Sequence, residues 1–361
     1  MVAVVVFEFS VMRCQPLRRA LCVSGKLNVE GDFMRAEKDR EEENILSRIF
    51  KESKYCEICK SEQPDFILKY DASLIGKIDV GVEITELYFD GTSARLKNKN
   101  NYAYEILEHG NYVHKDDREK LKVQEVKYFS QAKPSEPFDT KILMHPNYTL
   151  LDYKKSLLQT IRKKSKKFLK YNTNVNQSAL VVYDKENIFS KFERKNFVSV
   201  FFDKLVSEEI KSSPFDEIYL ITRFKNNPNQ YYVQLKYCLL QNELGVLLNY
   251  IEKSKLNKKL DSSGVEVVDL YAEVLFKKGY PSIGFSERNG NRVVNANRYS
   301  FCVDVSSRGM SVFDDFPRLY KNEHEYSEVD AKFFTEKSFR LFLKETKDKF
   351  VSFEVGFKAL R

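Results

Sequence analysis

The chain has 361 residues, 42% of them hydrophobic, which is enough apolar material for one large core or two modest ones. No stretch approaches 18 apolar residues free of charge, so the composition excludes a membrane-spanning helix. The formal net charge of +8 suits an anionic polymer as a partner without identifying one.

The six cysteines (Cys14, Cys22, Cys56, Cys59, Cys238, Cys302) are sparse and irregularly spaced, unlike a secreted disulfide framework. A reducing, cytoplasmic setting is expected. Residues 1–33 read as foreign to the rest of the chain. Val2 to Val11 is an apolar run broken by Glu8, and Arg13, Arg18 and Arg19 come after it, the reverse of a secretory signal. Two expectations stand for this segment: a non-native leader with translation starting at Met34, or an accessory strand or helix.

Taken in chain order, Glu37 to Lys54 places Ile45, Leu46, Ile49 and Phe50 on one stripe of a helix. Pro64-Asp65-Phe66-Ile67-Leu68 opens with a helix breaker and continues as a short strand. Asp71 to Gly76 is turn-like. Ile78 to Leu87 alternates, with Ile78, Val80, Val82 and Ile84 on one face and Asp79, Gly81, Glu83 and Thr85 on the other. Together these segments predict a β-hairpin with one buried face. Residues 90–150 predict irregular structure with short helices. Lys154 to Tyr171 predicts a helix, Ala179 to Tyr183 a buried strand, Lys195 to Lys211 a helix and Glu217 to Thr222 a strand. Asn226-Asn227-Pro228-Asn229 is the clearest linker signal. It separates a domain over 34–225 from an α+β region over 226–361. In the latter, Gln230 to Leu240 and Arg298 to Val305 read as strands, Val267 to Lys277 and Lys332 to Lys347 as helices, and Phe350 to Phe357 as a last strand. The fold class expected is α/β, a mixed sheet flanked by helices.

Asp65 and Glu83 carry the chemistry. Neighbouring strands lie about 4.8 Å apart, so the hairpin folds these two carboxylates side by side, with the Ile84 backbone carbonyl as a natural third ligand. Such a set of hard oxygens suits Mg²⁺, which neutralises charge on a phosphate and lowers the pKa of an attacking water.

Pro64-Asp65, 17 intervening residues and Glu83-Ile84-Thr85 resemble the Pro-Asp…(Asp/Glu)-X-Lys signature of the PD-(D/E)XK, or restriction-endonuclease-like, nuclease superfamily. Pro-Asp-Phe-Ile-Leu and Gly-Val-Glu-Ile-Thr-Glu-Leu are similar to a variant found in many poorly characterised bacterial members. The resemblance covers about half the chain. It implies a restriction-endonuclease-like sheet and a nuclease dependent on Mg²⁺ or Mn²⁺, with DNA as the expected substrate. It also implies an acidic helix before the hairpin, which offers Glu42 and Glu43 as accessory carboxylates. One position departs: the lysine expected two residues after the second carboxylate is Thr85, whose hydroxyl carries no charge. Some members move that lysine to a neighbouring helix. Between Lys154 and Tyr171 there are eight Lys/Arg residues and no acid. Ile161, Lys164, Lys167 and Tyr171 follow the spacing of the matching helix, so Lys164 and Lys167 are equal candidates for the displaced lysine. The outward Lys163, Lys166 and Lys170 are candidates for phosphate contacts, against the plainer reading of a solvated charged face.

The missing lysine leaves a catalytically inactive member, binding nucleic acid or a protein partner, as the alternative. Residues 226–361 are expected to recognise substrate or to mediate homodimerisation. Cys56-X-X-Cys59 is half of a zinc pattern with no second pair, and His109 and His114 lie about 50 residues further on; two incidental thiols are the simpler reading. His145 and His324 are isolated. Neither a phosphate-cradling glycine loop nor a Gly-X-Ser-X-Gly elbow occurs.

Overall fold

The computed structural model describes residues 29–50, 55–72, 76–130, 133–144, 148–171, 174–185, 187–254, 265–288, 290–296, 299–304, 309–314, 322–347, 349 and 358–359. The chain divides into two units, Met1–Leu46 and Ser47–Arg361. Most of helix α1 (Val29–Ile49) belongs to the first, where Lys38 and Glu42 pair one turn apart at 3.5 Å. Of the 1–33 segment, residues 1–28 lie outside the described residues.

In the larger unit, period-two alternation builds the first sheet. Strands β1 (Glu57–Lys60), β2 (Phe66–Ala72) and β3 (Gly76–Glu86) run antiparallel, with Phe66 opposite Val82 and Leu68 opposite Val80. Phe66, Leu68 and Tyr70 are buried together with Ile78, Val80, Val82 and Ile84, as one shared face requires. Asp65 and Glu83 are therefore placed on the other face.

Three short helices come next, α2 (Gly91–Asn98), α3 (Tyr102–His109) and α4 (Lys115–Lys120). They are tied together by Asp117, which is fully buried and accepts hydrogen bonds from Thr92 Oγ1 at 2.8 Å, Tyr102 OH at 2.6 Å and Arg95 Nε at 2.8 Å. The short helices match the sequence reading of residues 90–150. The hairpin of β4 (Lys122–Ser130) and β5 (Lys133–Met144), a two-stranded sheet of its own, does not. Pro134 and Pro137 sit inside β5, and proline obscures a strand because it lacks a ladder N–H. In a two-stranded sheet each strand is an edge, where proline is tolerated.

Helix α5 (Leu150–Phe168) starts earlier than its charge pattern suggests, because Thr149 and Asp152 cap it reciprocally. Its Tyr153, Leu157 and Ile161 are buried in the first core with Leu180 and Val182 of β6 (Gln177–Tyr183), which runs parallel to β3. The single helix expected over Lys195–Lys211 is two, α6 (Arg194–Phe201) and α7 (Lys204–Ser212). Asp203 divides them, its carboxylate accepting from the backbone N–H groups of Leu205 and Val206. Strand β7 (Glu217–Thr222) has the span the sequence predicts and is parallel to β6.

Past the Asn226–Asn229 loop the same sheet continues with β8 (Tyr231–Gln234), antiparallel to β7. The strand expected over Gln230–Leu240 ends there, because α8 (Leu235–Lys253) begins at the next residue. Leu235, Leu239, Leu244, Leu247 and Ile251 are buried along it, on faces that serve two cores, and the β-prone Tyr231-Tyr232-Val233 masks the start of the helix in the sequence. Cys238 and Leu239 close the first core, and Leu240 onward enters a second.

That second core lies among α8, α9 (Val265–Lys277), and a five-stranded antiparallel sheet of β9 (Ile283–Arg288), β10 (Asn291–Ala296), β11 (Tyr299–Asp304), β12 (Gly309–Asp314) and β13 (His324–Glu325). Strand β11 and helix α9 fall where the sequence predicts them. Helix α10 (Glu336–Thr346) starts after the expected Lys332, since Thr335 Oγ1 accepts from Ser338 N–H and caps it. The strand expected over Phe350–Phe357 lies outside the described residues, and β14 (Lys358–Ala359) pairs with β8.

The architecture is α/β, with a seven-stranded mixed sheet in the order β1-β2-β3-β6-β7-β8-β14 flanked by helices. Among the described residues no helix is long and apolar enough to cross a membrane.

Candidate active site

Register decides the first question of the site. Phe66 pairs with Val82, so Asp65, in the bend one residue before β2, stands beside Glu83 on the same face of the hairpin. The carboxylate of Asp65 reaches across the strands and its Oδ2 accepts the Ile84 N–H at 2.7 Å. What Ile84 gives Asp65 is its backbone N–H, a different group from the carbonyl expected as a third ligand, and its side chain is buried on the opposite face.

The bend that carries Asp65 is seated by a close approach. A Cβ at Gly81 would lie 2.8 Å from Pro64 Cγ and 3.2 Å from Val175 Cγ2, so only glycine lets Pro64 rest against β3. Gly81→Ala is expected to destabilise the protein by about 1–3 kcal/mol through overpacking and to displace Asp65. Urea unfolding measures the first effect. A midpoint equal to wild type would show that Pro64 moves aside freely.

Glu83 is the buried centre of the site. Lys164 Nζ on α5 donates to its Oε1 at 2.6 Å, and Tyr171 OH donates to its Oε2 at 2.9 Å. Lys167 Nζ lies 3.8 Å from Oε1. The helical spacing anticipated this convergence, since Lys164, Lys167 and Tyr171 come from the same end of α5 and the turn after it. It did not separate the two lysines. Lys164 is at hydrogen-bond distance and 19% exposed, whereas Lys167 is farther and 48% exposed. Nor did the sequence reading give Tyr171 a role, although its place in the spacing was the available signal. Burial raises the Tyr171 phenol above its ordinary range, and the hydrogen bond to Glu83 and the charges of Glu83 and Asp65 add to the rise. Tyr171 is therefore a neutral donor at working pH.

Thr85 is half-buried on the same face of β3, where the resemblance leads one to expect a lysine. Lys164 brings an ammonium to Glu83 from the neighbouring helix instead. The site opens outward at half-buried Asp65 and at Lys167. Beyond it Lys163, Lys166 and Lys170 are exposed, with no acidic partner within ion-pair distance among the described residues. Arg162 and Lys154 on the same helix are paired with Glu209 and Asp203. Glu42 and Glu43 belong to the N-terminal unit on α1, whereas Asp65, Glu83, Lys164 and Tyr171 belong to the larger unit.

The donor chemistry of the pair suits a small divalent cation. Mg²⁺ commonly takes one or two carboxylates and completes its octahedron with water, and Asp65 with Glu83 provides two. Among the described residues no group of three or more His, Cys, Asp or Glu gathers as a metal set. Cys56 Sγ donates to the Lys69 carbonyl and Cys59 Sγ to Glu57, so each thiol of the Cys-X-X-Cys pair bonds within the β1–β2 region. His114 caps α4 and His324 contacts Asp330 at 2.9 Å, while His145 lies outside the described residues.

Compared with known proteins, the chain matches no family model, no curated protein and no solved structure.

Proposed function

We propose that this protein is a Mg²⁺-dependent nuclease of the restriction-endonuclease-like kind, hydrolysing phosphodiester bonds in DNA. One observation carries the reading: a carboxylate in the bend before β2 and one on β3 share a face of the hairpin, and a lysine from α5 reaches the buried one at 2.6 Å. The antiparallel β2–β3 hairpin continuing into parallel β6 and β7 supports the same superfamily. Asp65 and Glu83 would hold the cation, which when bound supplies Lewis-acid charge at the phosphate and an activated water. The Ile84 N–H orients Asp65. Tyr171 orients Glu83. Lys164, standing in for the ammonium absent at Thr85, offsets negative charge developing on the phosphate and positions the attacking water, with Lys167 as a second, outer cation.

Supercoiled plasmid nicking with Mg²⁺ or Mn²⁺, comparing wild type with Asp65→Ala, tests the reading. Equal cleavage by the two proteins ends it.

The exposed row Lys163, Lys166 and Lys170 extends the site toward the DNA backbone. Replacing all three with alanine is expected to weaken duplex binding and to flatten the log–log salt dependence by up to about 0.9 per lysine removed. Fluorescence anisotropy between low and moderate salt measures this. An unchanged slope would return these residues to a solvated face.

A second reading has its own observation. Both oxygens of Glu83 already hold donors, so the cluster is electrostatically satisfied as a structural unit. A nuclease fold without activity, binding nucleic acid or a protein partner, has this property. Calorimetry that finds no cation binding by the folded protein at millimolar Mg²⁺ favours it.

A further inference from the structure

The side chain of Glu83 is 1% exposed, so its charge is balanced from within the protein and not by water. Oε1 receives Lys164 at 2.6 Å and Oε2 receives Tyr171 at 2.9 Å. Asp65 is half-buried, and its Oδ2 accepts the Ile84 N–H. A cation approaching the pair thus meets, at Glu83, one oxygen held by a neutral hydroxyl and the other held by an ammonium.

These holds are unequal obstacles. The tyrosine hydroxyl adds no net charge and leaves Oε2 a second lone pair. The ammonium at Oε1 repels any second cation brought to that oxygen, and in a buried setting the repulsion is poorly screened. Lys167, 3.8 Å from the same oxygen, adds to it.

We infer that Lys164 is an internal counter-ion that gates the carboxylate pair: its Nζ must leave Glu83 Oε1 before that oxygen can serve a divalent cation. The inference rests on the metal-site reading above. Lysine is suited to the task, since its flexible four-carbon stem carries a compact charge and makes a single contact here, not the two-pronged clamp of an arginine. Being 19% exposed, Lys164 has a path to solvent. Released from Glu83, the ammonium stays at the mouth of the site, where a bound phosphate would need it. Loading of the carboxylates and arming of the lysine are then one event, with Lys164 balancing the charge of Glu83 until it is released.

Isothermal titration with Mn²⁺ alone tests the gate on the full chain, using wild type, Lys164→Met and Glu83→Gln, each first shown to be folded by circular dichroism. Lys164→Met is expected to bind Mn²⁺ about tenfold more tightly than wild type while losing plasmid nicking. It is also expected to gain more in melting temperature from Mn²⁺ than wild type does, because the cation replaces a lost counter-ion. Glu83→Gln is expected to lose Mn²⁺ binding. Lys164→Gln, which keeps a hydrogen-bond donor, serves if the methionine variant does not fold. Equal or weaker Mn²⁺ binding by the Lys164 variants, with Glu83→Gln still defective, overturns the gate and leaves the metal site standing. Absence of Mn²⁺ binding by every protein, Lys164→Met included, overturns the metal-site reading and the gate with it.

Discussion

On the proposed nuclease reading, Asp65→Ala and Glu83→Gln are each expected to lower Mg²⁺-dependent plasmid nicking by more than about a hundredfold, since outer-shell partners of a catalytic metal alone are worth ten- to a hundredfold. The two variants reach that result by different routes, which makes the comparison informative. Asp65 is half-buried and lies in the bend before β2, and loss of the hydrogen bond from Ile84 N–H to its Oδ2 by itself costs about 1 kcal/mol of stability. Glu83 is buried under Lys164 and Tyr171. Glutamine preserves its shape and one acceptor oxygen but removes the charge that both a cation and Lys164 require. Lys164→Gln is expected to follow Glu83→Gln in activity. Lys167→Gln is expected to lose less, being 3.8 Å from the carboxylate and 48% exposed. Nicking rates normalised to folded protein check the series. Wild-type cleavage by Asp65→Ala, with Mg²⁺ present and EDTA as the control, would remove the nuclease reading altogether.

Asp117→Ala is expected to give the largest loss of stability, about 3 kcal/mol by urea unfolding at pH 7. Breaking a buried ion pair costs about 3–5 kcal/mol, and the lower end applies because Arg95 is 28% exposed and can turn to water. Asp117 is fully buried and collects donors from α2 and α3: the Thr92 hydroxyl, the Arg95 guanidinium and the Tyr102 phenol. The Tyr102 hydroxyl in turn accepts the Val113 N–H. Removal of the carboxylate orphans several polar groups at once.

The same bonds give a pH signature. The Arg95 guanidinium, more than any other group, holds the Asp117 carboxyl far below the usual carboxylate range, and Tyr102 and Thr92 assist against the opposing effect of burial. A depressed folded-state pKa contributes stability that is fully present above the unfolded value of about 3.9. That contribution drains as pH falls below this value toward the folded one. The difference in unfolding free energy between wild type and Asp117→Asn is therefore expected to shrink between about pH 5 and pH 2. A difference constant across that range would show that the carboxylate charge is not what ties α2 to α4.

The features legible in the sequence are those governed by local period. Alternation at Ile78 to Glu86 marks β3, continuous apolar runs mark β6 and β7, and Leu157, Leu158 and Ile161 mark the buried stripe of α5, because a residue's neighbours one turn or one pleat away set its side. The Asp65–Glu83 juxtaposition belongs here too, since a hairpin of known register dictates it. Elements vanished where a local signal pointed the wrong way. Pro134 and Pro137 hid β5, the Asp203 cap split one helical pattern into α6 and α7, and Tyr231-Tyr232-Val233 carried a strand signal into the start of α8.

What the chain's order of residues determined unaided is thus the α/β class, the hairpin, the carboxylate pair and a basic helix able to serve it. Only the tertiary structure chose Lys164 over Lys167 and gave Tyr171 a hold on Glu83. That choice turns on the angle at which α5 crosses the hairpin and on ångström differences in side-chain reach, and both are set by the whole packed core and by no local pattern.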